Sequence, residues 1–214
     1  KISSKKIQVI GNPYFDELFE EYNQALFEKT GFVLLATQSP SDDMSITDLE
    51  IKTIEKYLET IRTICKTVLK ANRELIIKLH PNPHELDITP FVKKIDPKIR
   101  VIKAGNISDL IKACDILVTM DISTVLLEAQ IFEKPVISVS VKNYNIGDDN
   151  CSFFKSKSCI RTEPKNFEIN LNRLLKDLEF KREMINKGKK FVNDYLSNQG
   201  NASRKLIEFS IKQT

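Results

Sequence analysis

Two short stretches hold the residue types that could handle a phosphorylated ligand. The first is "ELIIKLHPNPHE", residues 74–85, which contains both histidines of the chain. Its apolar run ends on His80, and Pro81 follows at once. A proline fixes the exit from the strand and removes a competing N–H. Pro83 stiffens the next step, and His84 falls at the start of the helix expected after it. An imidazole on so rigid an exit can be aimed at a charged group, and beside a phosphate its protonated form is favoured. A lone histidine at a strand end is more often a satisfied structural residue than a ligand. Lys78, between Ile77 and Leu79, receives no functional role.

The second stretch is "TMDISTVLLEAQ", residues 119–130. It sets Ser123 and Thr124 where a helix should begin. Free backbone N–H groups and the positive end of a helix dipole form an anion site there. Glu128 comes four residues after Thr124, on the same face. It lies about one turn deeper, roughly 6 Å along the axis. From there a carboxylate could accept hydrogen bonds from the vicinal hydroxyls of a ribose. Ile122, Val125, Ala129 and Phe132 make the buried stripe of this helix. The plainer alternative is that Ser123 only caps the helix and Glu128 is a solvated charge.

The elements that would carry these residues follow from periodicity. Residues 7–10 read as a short strand or linker, Gly11-Asn12-Pro13 as a turn, and a helix follows from about Tyr14 to the stop at Gly31. "FVLLATQ" (32–38) is a compact buried strand. "LEIKTIEKYLETIRTICKTVLKAN" is a long amphipathic helix. The His80 strand, a short helix at roughly 84–95, the strand "IRVIKAG" (99–105) and a helix capped by Asn106 or Ser108 come next. "ILVTMD", the Ser123 helix and "PVISVSV" (135–141) complete the alternation. A polar loop then leads to two or three helices over residues 167–211.

Strand and helix thus alternate five times. The fold class is α/β, a doubly wound, Rossmann-like parallel sheet with helices on both faces and a helical C-terminal segment. Ligands of such sheets bind beyond the carboxyl ends of the strands, where strand order reverses. The strand ends carry Gln38 and Ser39, then His80, then Gly105, then Asp121, Ser123 and Thr124.

Composition narrows the classes. The chain has 214 residues and four cysteines, at 65, 114, 151 and 159, with no Cys-x-x-Cys pair. Cys65 and Cys114 sit in apolar periodic segments and read as core thiols of a reducing cytoplasm. No metal site is expected. Asp42 and Asp43 more simply serve a helix N-terminus. No phosphate loop or Gly-x-Gly-x-x-Gly motif occurs among the six glycines. From Lys155 on there are 14 Lys and Arg against 7 Asp and Glu, interleaved and without stacking aromatics. That is a solvated helical surface and not a nucleic-acid face, although it is compatible with an anionic membrane nearby. No run approaches the roughly 18 apolar residues of a membrane span. The polar opening "KISSKKIQ", without Met, suggests a piece of a longer protein.

"GNPYFDEL", "KLHP", "DILVTMDISTVLLEAQIFEKPVISV" and "NQGNASRKLIEF", in that order, resemble the C-terminal half of GT-B fold glycosyltransferases. The nearest groups are surface-polysaccharide transferases and the related UDP-N-acetylglucosamine 2-epimerases. The resemblance runs from Gly11 to Phe209. It implies an interdomain linker over residues 1–13 and one nucleotide-sugar-binding domain over 14–214. In the transferases, His-Pro and Ser-Ser or Ser-Thr motifs hold the donor phosphate, which maps onto His80-Pro81 and Ser123-Thr124. An acidic residue on the next helix contacts the ribose and maps onto Glu128. Gln38, Ser39 and Gly105 complete the expected substrate-binding set.

The resemblance further implies a catalytic base on an N-terminal half upstream, with reaction in the cleft between halves. His80 would stabilise the leaving group. No cofactor is implied: the ligand is a CMP- or UDP-linked sugar, which is substrate. A glycan acceptor is the other partner, and no nucleic acid is. The place would be the cytoplasm, at the inner face of the membrane, with peripheral association. The epimerases carry Asp-Ser-Gly-Gly where this chain has Asp121-Ile122-Ser123-Thr124, and His-Arg-Arg-Glu-Asn where it has "QSPSDD". Both departures favour a transferase. Loss of the glycines, which allow a diphosphate close to the backbone, favours a CMP-sugar donor. A 2-epimerase-like domain and a non-catalytic nucleotide-binding or assembly module are the alternatives.

Overall fold

The structure, a computed structural model, describes residues 7–24, 31–38, 48–82, 85–141 and 151–211. Among these residues six strands form one sheet: β1 (Phe32–Ala36), β2 (Glu74–Lys78), β3 (Arg100–Ile102), β4 (Ile116–Met120), β5 (Val136–Val139) and β6 (Ile160–Thr162). Their order is β3-β2-β1-β4-β5-β6, and every neighbouring pair is parallel. The chain runs outward from β1 to β3, then returns to lay β4 on the other side of β1. Strand order therefore reverses at the β1/β4 boundary, which opens a crevice at the carboxyl edge.

The central strands are apolar on both sides because both faces are covered. Val33, Leu35, Leu75, Ile77 and Val118 face one layer, built on α2 (Asp48–Lys70), α3 (Thr89–Ile95) and α7 (Phe167–Lys176). Leu34, Ile76 and Leu117 face the other, built on α1 (Asp16–Gln24), α4 (Ile107–Ala113), α5 (Val125–Ile131) and α8 (Leu178–Tyr195). Each such side chain contributes about 1.5–3 kcal/mol on burial. Cys65 and Cys114 lie in this core as free thiols, and burial pushes both up to about 12.

The two ends of the described chain meet. Asp16 accepts N–H bonds from Ala202 (3.0 Å) and Ser203 (2.7 Å), capping the last helix, α9 (Ala202–Ile211). Gly11 has φ +90°, and a Cβ there would lie 2.2 Å from the Ser197 carbonyl oxygen. Only glycine fits that approach. "GNPYFDEL" and "NQGNASRKLIEF" are thus neighbours in space.

Four expectations need correction. Residues 7–10 form no strand: they lie outside the sheet, with Ile7 and Val9 largely exposed. The third helix starts at Thr89, because Ile88 turns inward and Pro90 takes an early helical position. A sixth strand, β6, joins β5 in a stretch with no evident strand signal, and a single helical turn, α6 (Ser152–Lys155), precedes it. Three residues of "CIRT" are too few for an alternation to show. Finally, α5 is buried on all sides from Leu126 to Ile131, not along one stripe, while Ile122 and Val125 are only half-buried. It is enclosed by β4, β5, α1, α4 and α8. The Asp42-Asp43 pair and His84 lie outside the described residues.

Candidate functional site

His80 follows β2, two residues beyond its last paired residue, and is exposed at the carboxyl edge. Its amide donates to Thr37 Oγ1 (3.2 Å), at the end of β1. The Asn82 amide donates to His80 Nδ1 (3.1 Å). That bond requires a lone pair on Nδ1, so the ring proton sits on Nε2. The geometry presents the outward nitrogen of the imidazole as a donor. Pro81 forms the bend that lets Asn82 reach back.

The β4 end lies on the other side of β1. Strands spaced about 4.8 Å apart put β2 and β4 roughly 10 Å from one another. Asp121 follows β4, in the left-handed region at φ +58°. Four bonds hold it there. Its amide donates to Val139 O (2.9 Å), its carbonyl accepts from Thr119 Oγ1 (3.2 Å) and Ser138 Oγ (2.8 Å), and its Oδ1 accepts the Val141 amide (2.9 Å). This strained corner turns Ile122, Ser123 and Thr124 out to the carboxyl edge. The Ser123 and Thr124 amides have no acceptor among the described residues. Ser123 Oγ accepts the Val125 amide at a long 3.4 Å, and Thr124 makes no side-chain cap bond.

Glu128 is 3% exposed, which overturns the solvated-charge alternative. Its Oε1 accepts from the phenol of Tyr14 (3.2 Å). Burial raises the carboxyl above its ordinary range, and the Tyr14 bond opposes that in part. Gln38 leaves the end of β1 toward β4. Oriented with its oxygen away from two carbonyls, its amide nitrogen donates to Ile122 O (3.0 Å) and Met120 O (3.3 Å). Gln38 therefore ties the floor of the crevice together.

The fold brings His80, Pro81, Gln38, Ser123, Thr124 and Glu128 to one end of the sheet, around the strand-order reversal. Gly105 is set apart, beyond β3 on the far side of β2. Its φ of +90° in a turn accounts for the glycine. Ser39 lies outside the described residues. Buried Lys78 binds the carbonyls of Leu79 (3.1 Å) and Lys103 (2.8 Å), tying β2 to β3. Sequence reasoning missed Tyr14, Thr37 and Glu85, which meet these residues from distant positions. Glu85 alone left a trace, as an acid in a stretch otherwise turning back into the core.

No family model matches the chain, and no curated protein does. Solved structures match by shape. The UDP-GlcNAc 2-epimerase of Neisseria meningitidis bound to UDP-GlcNAc has a TM-score of 0.58 at 19% identity, over 99% of this chain and 57% of that one. The glycosyltransferase SnogD from Streptomyces nogalater has a TM-score of 0.58 at 14% identity, over 84% and 44%. The wall teichoic acid polymerase TagF has a TM-score of 0.52 at 20% identity, over 94% and 48%. At these identities the likeness is one of fold. The chain has the Rossmann-like fold found in GT-B glycosyltransferases and UDP-GlcNAc 2-epimerases. It spans about half the length of these structures.

Proposed function

We propose that this chain is the nucleotide-sugar donor-binding half of a glycosyltransferase of surface polysaccharide or glycan synthesis. The observation that carries the reading is the placement of His80 and the Ser123–Thr124 turn at one end of the sheet. They flank β1 where strand order reverses. The Nε2–H of His80 and the amides of Ser123 and Thr124 are donors suited to one anion. They would stabilise the charge that grows on the nucleotide as its bond to the sugar breaks. Glu128 would accept the ribose hydroxyls, in competition with the Tyr14 phenol. A partner half upstream would supply the base and the acceptor site, at the cytoplasmic face of the membrane.

Titration calorimetry with CMP, CDP, UDP and UDP-N-acetylglucosamine tests this. One nucleotide should be preferred, with CMP the first expectation. His80→Ala should weaken nucleotide binding and leave the matching nucleoside nearly unaffected. Absence of binding by all four at millimolar concentration would contradict the reading and leave a non-catalytic module. An epimerase reading is supported by the epimerase structure that covers nearly the whole chain. The Ile122-Ser123-Thr124 sequence weighs against it. A clear preference for UDP-N-acetylglucosamine would restore it.

A further inference from the structure

Four hydrogen bonds close a ring behind His80. The His80 amide donates to Thr37 Oγ1 (3.2 Å), and the Thr37 hydroxyl donates to Glu85 Oε1 (2.8 Å). The Glu85 amide donates to Asn82 O (3.1 Å), and the Asn82 amide donates to His80 Nδ1 (3.1 Å). Thr37 and Glu85 are 5% and 6% exposed, so this ring is built inside the protein although its imidazole faces out.

We infer that Thr37 and Glu85 are a positioning pair for His80. The Glu85 carboxyl fixes the direction of the Thr37 hydroxyl, and the hydroxyl fixes the turn that carries the imidazole. A hydroxyl has one proton. If Thr37 spends it on Glu85, its lone pairs are left for the His80 amide. The competing acceptor is Lys78 O, 3.4 Å away. Glu85 wins by distance, and Tyr57, 1% exposed, holds the same carboxyl oxygen from the α2 side at 3.4 Å. The other oxygen, Oε2, is buried and has no hydrogen-bond partner among the described residues. An ionised carboxylate would be costly there. Burial accordingly raises the Glu85 carboxyl, and the bonds from Thr37 and Tyr57 and the nearby Lys103 oppose that in part. The pair holds one tautomer of His80, with Nδ1 occupied and Nε2–H presented.

This deepens the proposed phosphate role of His80, but its geometric part is testable without ligand. Nitrogen NMR of the unliganded chain should show His80 as a single Nε2–H tautomer. Thr37→Val keeps the shape and removes the hydroxyl. It should mix the tautomers and weaken CMP binding about tenfold, the loss of roughly one hydrogen bond, with cytidine binding unchanged. Thr37→Ser should restore both readouts. Glu85→Met, which substitutes an apolar chain of similar length, should act like Thr37→Val and covers the case in which that variant does not fold. A folded Thr37→Val or Glu85→Met protein with the wild-type tautomer and CMP affinity would overturn the inference. If the tautomer responds as stated but the wild-type chain binds no nucleotide, the positioning pair stands and the proposed function falls.

Discussion

The phenol of Tyr14, at the amino-terminal end of the described chain, donates a 3.2 Å hydrogen bond to Oε1 of Glu128. Tyr14 is 64% exposed and Glu128 is 3% exposed, so a surface group guards a buried carboxyl. Burial raises the Glu128 carboxyl. The unfolded carboxyl has a pKa of about 4.3. Between that value and the raised one, the folded state holds a proton that the unfolded state has released. Stability is therefore lost as pH rises from about 4.3 through the folded value. Glu85, raised by burial, acts in the same direction. Glu128→Gln should melt above wild type at pH 8, and the gap should close toward pH 4. A Glu128→Gln protein that melts below wild type at pH 8 would contradict this account of the carboxyl.

The Asp121 corner allows a sharper stability test. Asp121→Ala would keep the left-handed backbone and leave the buried Val141 amide without its 2.9 Å partner. An unpaired buried amide costs about 1–3 kcal/mol. Chemical denaturation should show a loss of about that size. Asp121→Asn, which keeps an acceptor and tolerates φ above zero, should lose less than half as much. Equal losses in the two variants would mean that the Val141 bond is not what holds the corner.

The meeting of the chain ends is also measurable. Gly11→Ala should destabilise by about 2 kcal/mol or more, since the left-handed backbone alone costs about 1–2 kcal/mol and the added Cβ meets the Ser197 carbonyl. Asp16→Ala removes the cap of α9 and should cost about 1 kcal/mol. In hydrogen exchange, that variant should lose protection first in α9 and only later in the sheet. Uniform loss would contradict a local cap.

How much of this was legible in the sequence varies by element. Strands β1, β2, β4 and β5 were readable because short, mostly apolar runs (FVLLA, ELIIK, ILVTM and VISV) suit a sheet covered on both faces. Strand β6 was not, because it is three residues long and takes its identity from pairing with β5. The strand ends gave His80, Ser123 and Thr124 through the general rule for such sheets. The ring behind His80 was invisible, since Thr37, Glu85 and Tyr57 converge only once β1, β2 and α2 are packed. Glu128 was read as helix-borne, but its burial depends on α1, α4 and α8 closing over α5. Periodicity within one helix cannot report that. The Nδ1 partner of His80 was hidden for a related reason: the amide that occupies it comes from a turn two residues on.

The most direct test of the central claim is the position of a bound phosphate. Crystals of this chain grown with CMP, or with UDP where calorimetry prefers it, should place the phosphate within hydrogen-bond distance of His80 Nε2 and of the Ser123 or Thr124 amide. The ribose should lie against Glu128. A nucleotide seated instead in the basic groove between α2 and α7, on Lys70, Arg73 and Lys176, would contradict the account.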